Sequence, residues 1–108
     1  MSTEAVLKAL AEPRRPAMLR LVRDEARSVG EIAEHFDITQ QAVSQHLQVL
    51  KGAGLVDVRR EGTRRLYRAR PEGLAPLRAF LDEFWDDRLD ALKREAEREE
   101  RTRGGRDH

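Results

Sequence analysis

Between residues 50 and 71 the spacing of the apolar side chains changes twice, and few folds accommodate both changes in so short a chain. Up to Leu50 the apolar residues recur in steps of three and four. They form the groups Val6, Leu7 and Leu10; Met18, Leu19, Leu21 and Val22; Ile32, Ala33 and Phe36; and Val43, Leu47 and Leu50. That period belongs to amphipathic helices. Residues 55–59 and 64–69 instead alternate or carry β-formers, and Glu61-Gly62-Thr63 separates them, which predicts a two-stranded hairpin. After Pro71 the helical step returns, through Leu74, Leu77, Leu81, Phe84 or Trp85, Leu89 and Leu92, in a stripe close to a heptad seam. The expected fold is mainly α with a two-stranded β-hairpin, in the order α-α-α-α-β-β-α.

Local signals place the element ends. The first helix is expected over residues 4–11. The second begins near Arg15, with Pro16 tolerated in its first turn, and runs to about residue 24. Ser28 and Glu31 have capping-box spacing and predict a helix over 29–36. Asp37-Ile38 reads as a tight turn. Thr39 is a good N-cap for a helix over 40–51, which Gly52 and Gly54 stop. Beyond Glu95 the apolar stripe ends, so residues 1–95 are expected as one domain and residues 96–108 as a charged, disordered tail. No internal repeat is visible.

Of the 108 residues, 38% are charged and none is cysteine. Disulfides and thiolate metal sites are therefore excluded. No apolar run approaches the roughly 18 residues of a membrane span, and the N-terminus carries an acid and lacks a secretory core. These features lead us to expect a cytoplasmic protein with no membrane partner. Charge is unevenly placed on a chain of net charge +1: residues 59–70 hold six arginines and one glutamate, and residues 82–100 hold nine acids and four bases. A basic patch on a near-neutral chain points to a polyanion met by one surface.

The segment TQQAVSQHLQVL, residues 39–50, carries the functional signal. On a wheel of ~100° per residue, Val43, Leu47 and Leu50 define the buried direction. Gln41, Gln45 and Gln48 point nearly opposite, and Ser44 and Gln40 flank them. Neutral amides can read base edges in a major groove, glutamine pairing with adenine and serine serving either class, whereas lysines would grip phosphate with little discrimination. Two short helices joined by a tight turn, followed by an arginine hairpin, describe a winged helix-turn-helix. The predicted double-stranded-DNA contacts are Thr39, Gln40, Gln41, Ser44, Gln45, His46 and Gln48 on the helix. Arg60, Arg64 and Arg65 join them on the hairpin, where phosphate contacts supply affinity. The bland alternatives are a solvated helix and a sheet edge blunted by charge. Tyr67 reads as a half-buried strand residue rather than a base stacker, and His46 as a packing residue with a backbone or phosphate contact rather than a metal ligand. An enzyme is not expected, because Ser44 and His46 have no carboxylate orienter at a telling spacing.

The segments LKALAEPRRPAMLRLV, SVGEIAEHFDITQQAVSQHLQVLKGAGLV and EGTRRLYRARPEGLAPLRAFLDEFWDDRLDAL resemble the ArsR/SmtB family of bacterial transcriptional regulators, and its cysteine-free members in particular. The resemblance implies a homodimer in which first and last helices pack together and two recognition helices reach successive major grooves of an inverted repeat. It assigns Val6, Leu7, Leu10, Leu74, Leu77, Leu81, Phe84, Trp85 and Leu89 to that interface, and it implies repression relieved by an effector. Two departures stand out. The segment Arg27-Ser28-Val29-Gly30-Glu31, where the family carries a thiolate metal motif, has no cysteine. The last helix has Asp82, Asp86, Asp87 and Asp90 but no histidine. No cofactor is expected. Two alternatives stay open: a weak nickel or zinc effector held by nitrogen and oxygen ligands such as His35, His46 and His108, and a protein-interaction module that no longer binds DNA. The metal site, and any protein co-regulator, are unknown at this stage.

Overall fold

A computed structural model describes the backbone of residues 2–106, and the side chains of these except 86–89 and 101–106. The elements follow the expected order: α1 Thr3–Leu10, α2 Arg14–Leu21, α3 Val29–Ala33, α4 Gln40–Gly52, β1 Val56–Glu61, β2 Arg64–Ala69, a 3-10 turn Pro71–Leu74 and α5 Ala75–Arg106. Residues 1–77 form one compact unit and residues 78–108 a second.

Each helix start has its chemical reason. The Ser2 hydroxyl accepts from the Ala5 N–H at α1, and Thr39 accepts from Ala42 at α4. At α3 the Ser28 hydroxyl accepts from the Glu31 N–H while the Glu31 carboxylate accepts from the Ser28 N–H, so the capping box is complete. Pro16 lies in the first turn of α2, where its missing N–H costs nothing. Two helices stop earlier than their apolar spacing suggests, α2 at Leu21 and α3 at Ala33, and turns follow both.

The end of α4 is fixed by one residue. Gly54 has φ +76°, its N–H donates to the Lys51 carbonyl, and the Leu55 N–H reaches back to the Leu50 carbonyl, both at 2.9 Å. That is a Schellman closure. Gly52, also expected to stop the helix, is its last residue. Gly62, at φ +66°, opens the two-residue hairpin turn, and Thr63 keeps a negative φ, which makes the turn type II′.

The strands pair antiparallel with Val56 opposite Ala69 and Glu61 opposite Arg64. One pairing was not legible beforehand. Arg27, just before α3, exchanges two backbone hydrogen bonds with Tyr67 at 2.9 and 2.7 Å and so braces β2 on its other edge. The hairpin base is tied down further by Ala69 N–H to the Val22 carbonyl and Arg70 N–H to the Leu55 carbonyl.

The core of the first unit is built from Val6, Ala9, Met18, Val22, Ile32, Val43, Leu47, Leu50, Leu55, Val56 and Tyr67. Val6 therefore corrects an expectation: it is fully buried inside its own chain and has no surface left to offer a partner. Leu10 and Leu77 are likewise packed in part against this core. Leu7, Leu74, Leu81, Phe84 and Trp85 are exposed, while the side chain of Leu89 lies outside the described residues. In the second unit the Phe80 and Phe84 rings meet edge to face at 5.1 Å. Residues 96–106, expected as a disordered tail, continue α5. The glutamates and arginines that open this stretch are fair helix formers even without an apolar face, whereas Gly104 and Gly105 near its end are not.

Candidate nucleic-acid interface

The recognition segment presents its polar face as the wheel requires. Thr39, Gln40, Gln41, Gln45 and Gln48 are exposed, Ser44 and His46 are half-buried, and Val43, Leu47 and Leu50 are fully buried beneath them. Gln41 and Gln45 have no hydrogen-bond partner among the described side chains, so their amides are free to meet a ligand. Residues 34–39 connect α3 to α4, and Phe36 and Ile38 within this connection pack against the core beneath both helices.

Gln48 and His46 turn out to be more engaged than the other polar residues of α4. The Gln48 amide donates to the buried Tyr67 hydroxyl at 3.4 Å and joins α4 to the hairpin. Arg15 donates from Nε to His46 Nδ1 at 3.2 Å. Its Nη1 also donates to the Lys8 and Ala9 carbonyls at 3.3 and 3.2 Å. One guanidinium therefore closes the C-terminal end of α1 and holds the imidazole of α4. With Nδ1 accepting, His46 has Nε2–H as its remaining donor. Sequence reasoning missed Arg15, because nothing local couples residues 31 positions apart.

The hairpin divides its arginines. Arg64 pairs with the Glu31 carboxylate, the same group that closes the α3 capping box, so it links wing and helix. Arg70 pairs with Asp57 at 3.5 Å and Glu72 at 3.2 Å. Arg60 and Arg65 have no partner among the described residues, yet they stand directly opposite each other across the strands. Like charges at such a position destabilise a hairpin. An anion between them would remove that cost.

Glu31 also carries a pH signature. The backbone hydrogen bond from Ser28, then that with its side chain, hold the carboxylate below its ordinary value of 4.5; desolvation opposes this, and the charges of Arg64 and Arg27 add to it. Because the folded-state pKa is the lower one, the stabilisation is present above the unfolded value. It is lost as pH falls below 4.5 and through the depressed folded value. Glu72 is lowered as well, by its own backbone hydrogen bond first and then by Arg70. The melting temperature should therefore drop as pH falls below about 4.5, and Glu31→Gln should melt lower at neutral pH and fall less steeply in acid. Parallel acid profiles for the two proteins would show that this carboxylate contributes nothing.

Among the described residues, no three histidine, cysteine, aspartate or glutamate side chains gather in a way that could hold a metal ion. His35 is exposed beyond α3, His46 is held by Arg15, and His108 lies outside the described residues. No helix among the described residues is long and apolar enough to cross a membrane.

A capped helix-turn-helix whose second helix exposes amides, braced by an arginine-bearing hairpin, defines the winged helix-turn-helix class of DNA-binding proteins. A family model described as a helix-turn-helix domain matches residues 6–59. The chain is 45% identical over 84 residues to the transcriptional regulator Rv2034 of Mycobacterium tuberculosis, covering 78% of each. It is 41% identical over 70 residues to the transcriptional repressor SmtB of the same species, covering 65% of this chain and 52% of that protein's length. The solution structure of the homodimeric winged helix-turn-helix domain of Mb0332 from Mycobacterium bovis, a possible ArsR-family regulator, superposes with a TM-score of 0.62 at 40% identity. It covers 82% of both chains. This chain belongs to the ArsR/SmtB family of winged helix-turn-helix transcriptional regulators. The family is one of DNA-binding regulators and not of enzymes.

Proposed function

We propose that this chain is a homodimeric, sequence-specific repressor that binds an inverted-repeat operator in the cytoplasm. The observation that carries the proposal is the pairing of two surfaces: the free amides of Gln41 and Gln45 on α4, and the opposed Arg60 and Arg65 on the hairpin. In this reading Thr39, Gln40, Gln41, Ser44 and Gln45 face base edges and the adjoining backbone, and His46 offers Nε2–H. Arg60 and Arg65 take phosphates. Arg64 serves the wing's attachment to α3 first, and Gln48 serves the Tyr67 contact.

The test is a double variant, Arg60→Ala with Arg65→Ala, titrated against the chain's own upstream DNA by fluorescence anisotropy at several salt concentrations. The salt slope should flatten by about one unit per lost phosphate contact in each half-site. The fold should be no less stable, and a gain of up to ~1 kcal/mol is expected from removing an opposed like-charge pair. An unchanged slope in the folded variant would show that the wing does not touch DNA.

Dimerisation is read from the exposed apolar side chains. On α5, Phe84 is 61% and Trp85 56% exposed, and Phe80 and Leu81 are exposed with them. Large exposed apolar groups concentrated on one element mark an interaction surface, and the Mb0332 domain is described as homodimeric. Leu81→Asp with Trp85→Asp should yield monomers by light scattering, since buried interface anchors are each worth ~2 kcal/mol or more. Both positions lie beyond the first unit, so its hairpin and helices should stay folded. A variant that keeps the dimer mass would place the interface elsewhere.

A further inference from the structure

A cavity of about 200 Å³ opens in the first unit among Leu19, Leu55, Ala69, Pro71 and Leu74. Its lining is almost wholly carbon, so Arg20, Arg23 and Arg70, which also border it, contribute their aliphatic stems, and their guanidinium groups lie outside the apolar lining. Those heads are not equivalent. Arg70 is held by Asp57 and Glu72, and Arg23 lies 3.4 Å from the exposed Asp24. Arg20 has no carboxylate partner among the described residues. The interior is larger than the ~150 Å³ that suffices for benzene. An apolar chamber with cations only at its rim is complementary to one chemical class: a small carboxylate with an apolar body.

Its position matters as much as its shape. Leu55 closes the Schellman turn of α4 and accepts the Arg70 N–H, and Ala69 ends β2 and donates to Val22 of the α2 segment. The walls of the cavity are thus α2 and the turn that follows it, the residue that closes the Schellman turn after α4, the base of the wing and the 3-10 turn Pro71–Leu74. We propose that this cavity binds small amphiphilic carboxylates, with the apolar body inside and the carboxylate on Arg20 and Arg23. Occupancy then acts as an effector signal on the DNA-binding surface. The effector role rests on the regulator reading above; the binding site does not.

The experiment titrates the full chain, without DNA, with octanoate and with octanol by calorimetry and by ¹⁵N chemical-shift mapping. Octanoate should bind saturably, with shifts centred on Leu55, Ala69 and Leu74. Affinity should rise about fourfold per methylene from hexanoate to octanoate. Arg20→Met with Arg23→Met, both at exposed positions, keeps an apolar stem and removes the cation, so it should weaken octanoate about tenfold and leave octanol nearly unchanged. Ala69→Leu, on the wall, should lose both ligands, with thermal melts as the fold control. Absence of saturable octanoate binding below its micellar range, equal affinity for octanol, or an arginine variant identical to wild type would overturn the site. A second arm measures affinity for the upstream DNA with octanoate present. An altered affinity in wild type but not in the arginine variant is expected. Saturable binding that leaves DNA affinity unchanged would overturn the effector role, and a chain that binds octanoate but no DNA would instead count against the regulator reading.

Discussion

Replacing Gln41, Ser44 and Gln45 together by alanine should abolish discrimination between the operator and random DNA while leaving most of the non-specific affinity. Each lost base contact costs on the order of 1–3 kcal/mol against the preferred sequence. In a dimer the loss occurs in both half-sites, so the combined effect, roughly 6–18 kcal/mol, is enough to account for the ~4–10 kcal/mol that usually separates specific from non-specific binding. Stability should barely change. Gln41 and Gln45 are exposed, and alanine improves helix propensity at all three positions. Competition titrations of operator and scrambled duplexes, with melting curves beside them, make the comparison. Equal losses on both duplexes would mean that this face grips backbone and reads nothing.

The largest effect on the fold is expected at Gly73. A Cβ built there would overlap the Gly54 carbonyl oxygen, stand 2.8 Å from the Gly54 carbonyl carbon and 3.3 Å from Leu55 Cα. These are backbone atoms of the Schellman turn and cannot rotate away. Gly73 needs no special φ; it is required by space, because the 3-10 turn is pressed against the end of α4. Gly73→Ala should cost about 3 kcal/mol, the upper part of the usual range for overpacking, a large share of the ~5–15 kcal/mol that holds a small domain together. Chemical denaturation should show a lower midpoint with a similar slope. Gly52→Ala, where nothing lies within 4 Å, is the control and should be neutral or stabilising. Equal midpoints for the two variants would refute the close approach.

These two cases show what was legible in the sequence. Gln41, Ser44 and Gln45 could be placed because a helix turns ~100° per residue and Val43, Leu47 and Leu50 mark its buried side. Ser28, Thr39 and Gly62 act within three residues of their partners, so their capping and turn chemistry could be read as well. What could not be read depends on pairs distant in the chain. Gly73 against Gly54, Arg15 against His46, Arg64 against Glu31 and Arg27 against Tyr67 are all set by how elements meet. Val6 was misassigned for the same reason: its position on the apolar side of α1 does not say which body covers it, and its own chain does. The ends of α2 and α3 were placed too late because apolar residues continue into the turns that follow, where Phe36 and Ile38 still pack on the core.

The central claim is that α4 reads sequence while the wing supplies charge. Hydroxyl-radical footprinting of the wild-type chain on the DNA upstream of its own coding sequence tests it most directly. Two protected patches on one face of the duplex, about one helical turn apart, and lost in the Gln41, Ser44 and Gln45 triple variant, are the predicted result. Uniform weak protection, unchanged by that variant, would contradict it.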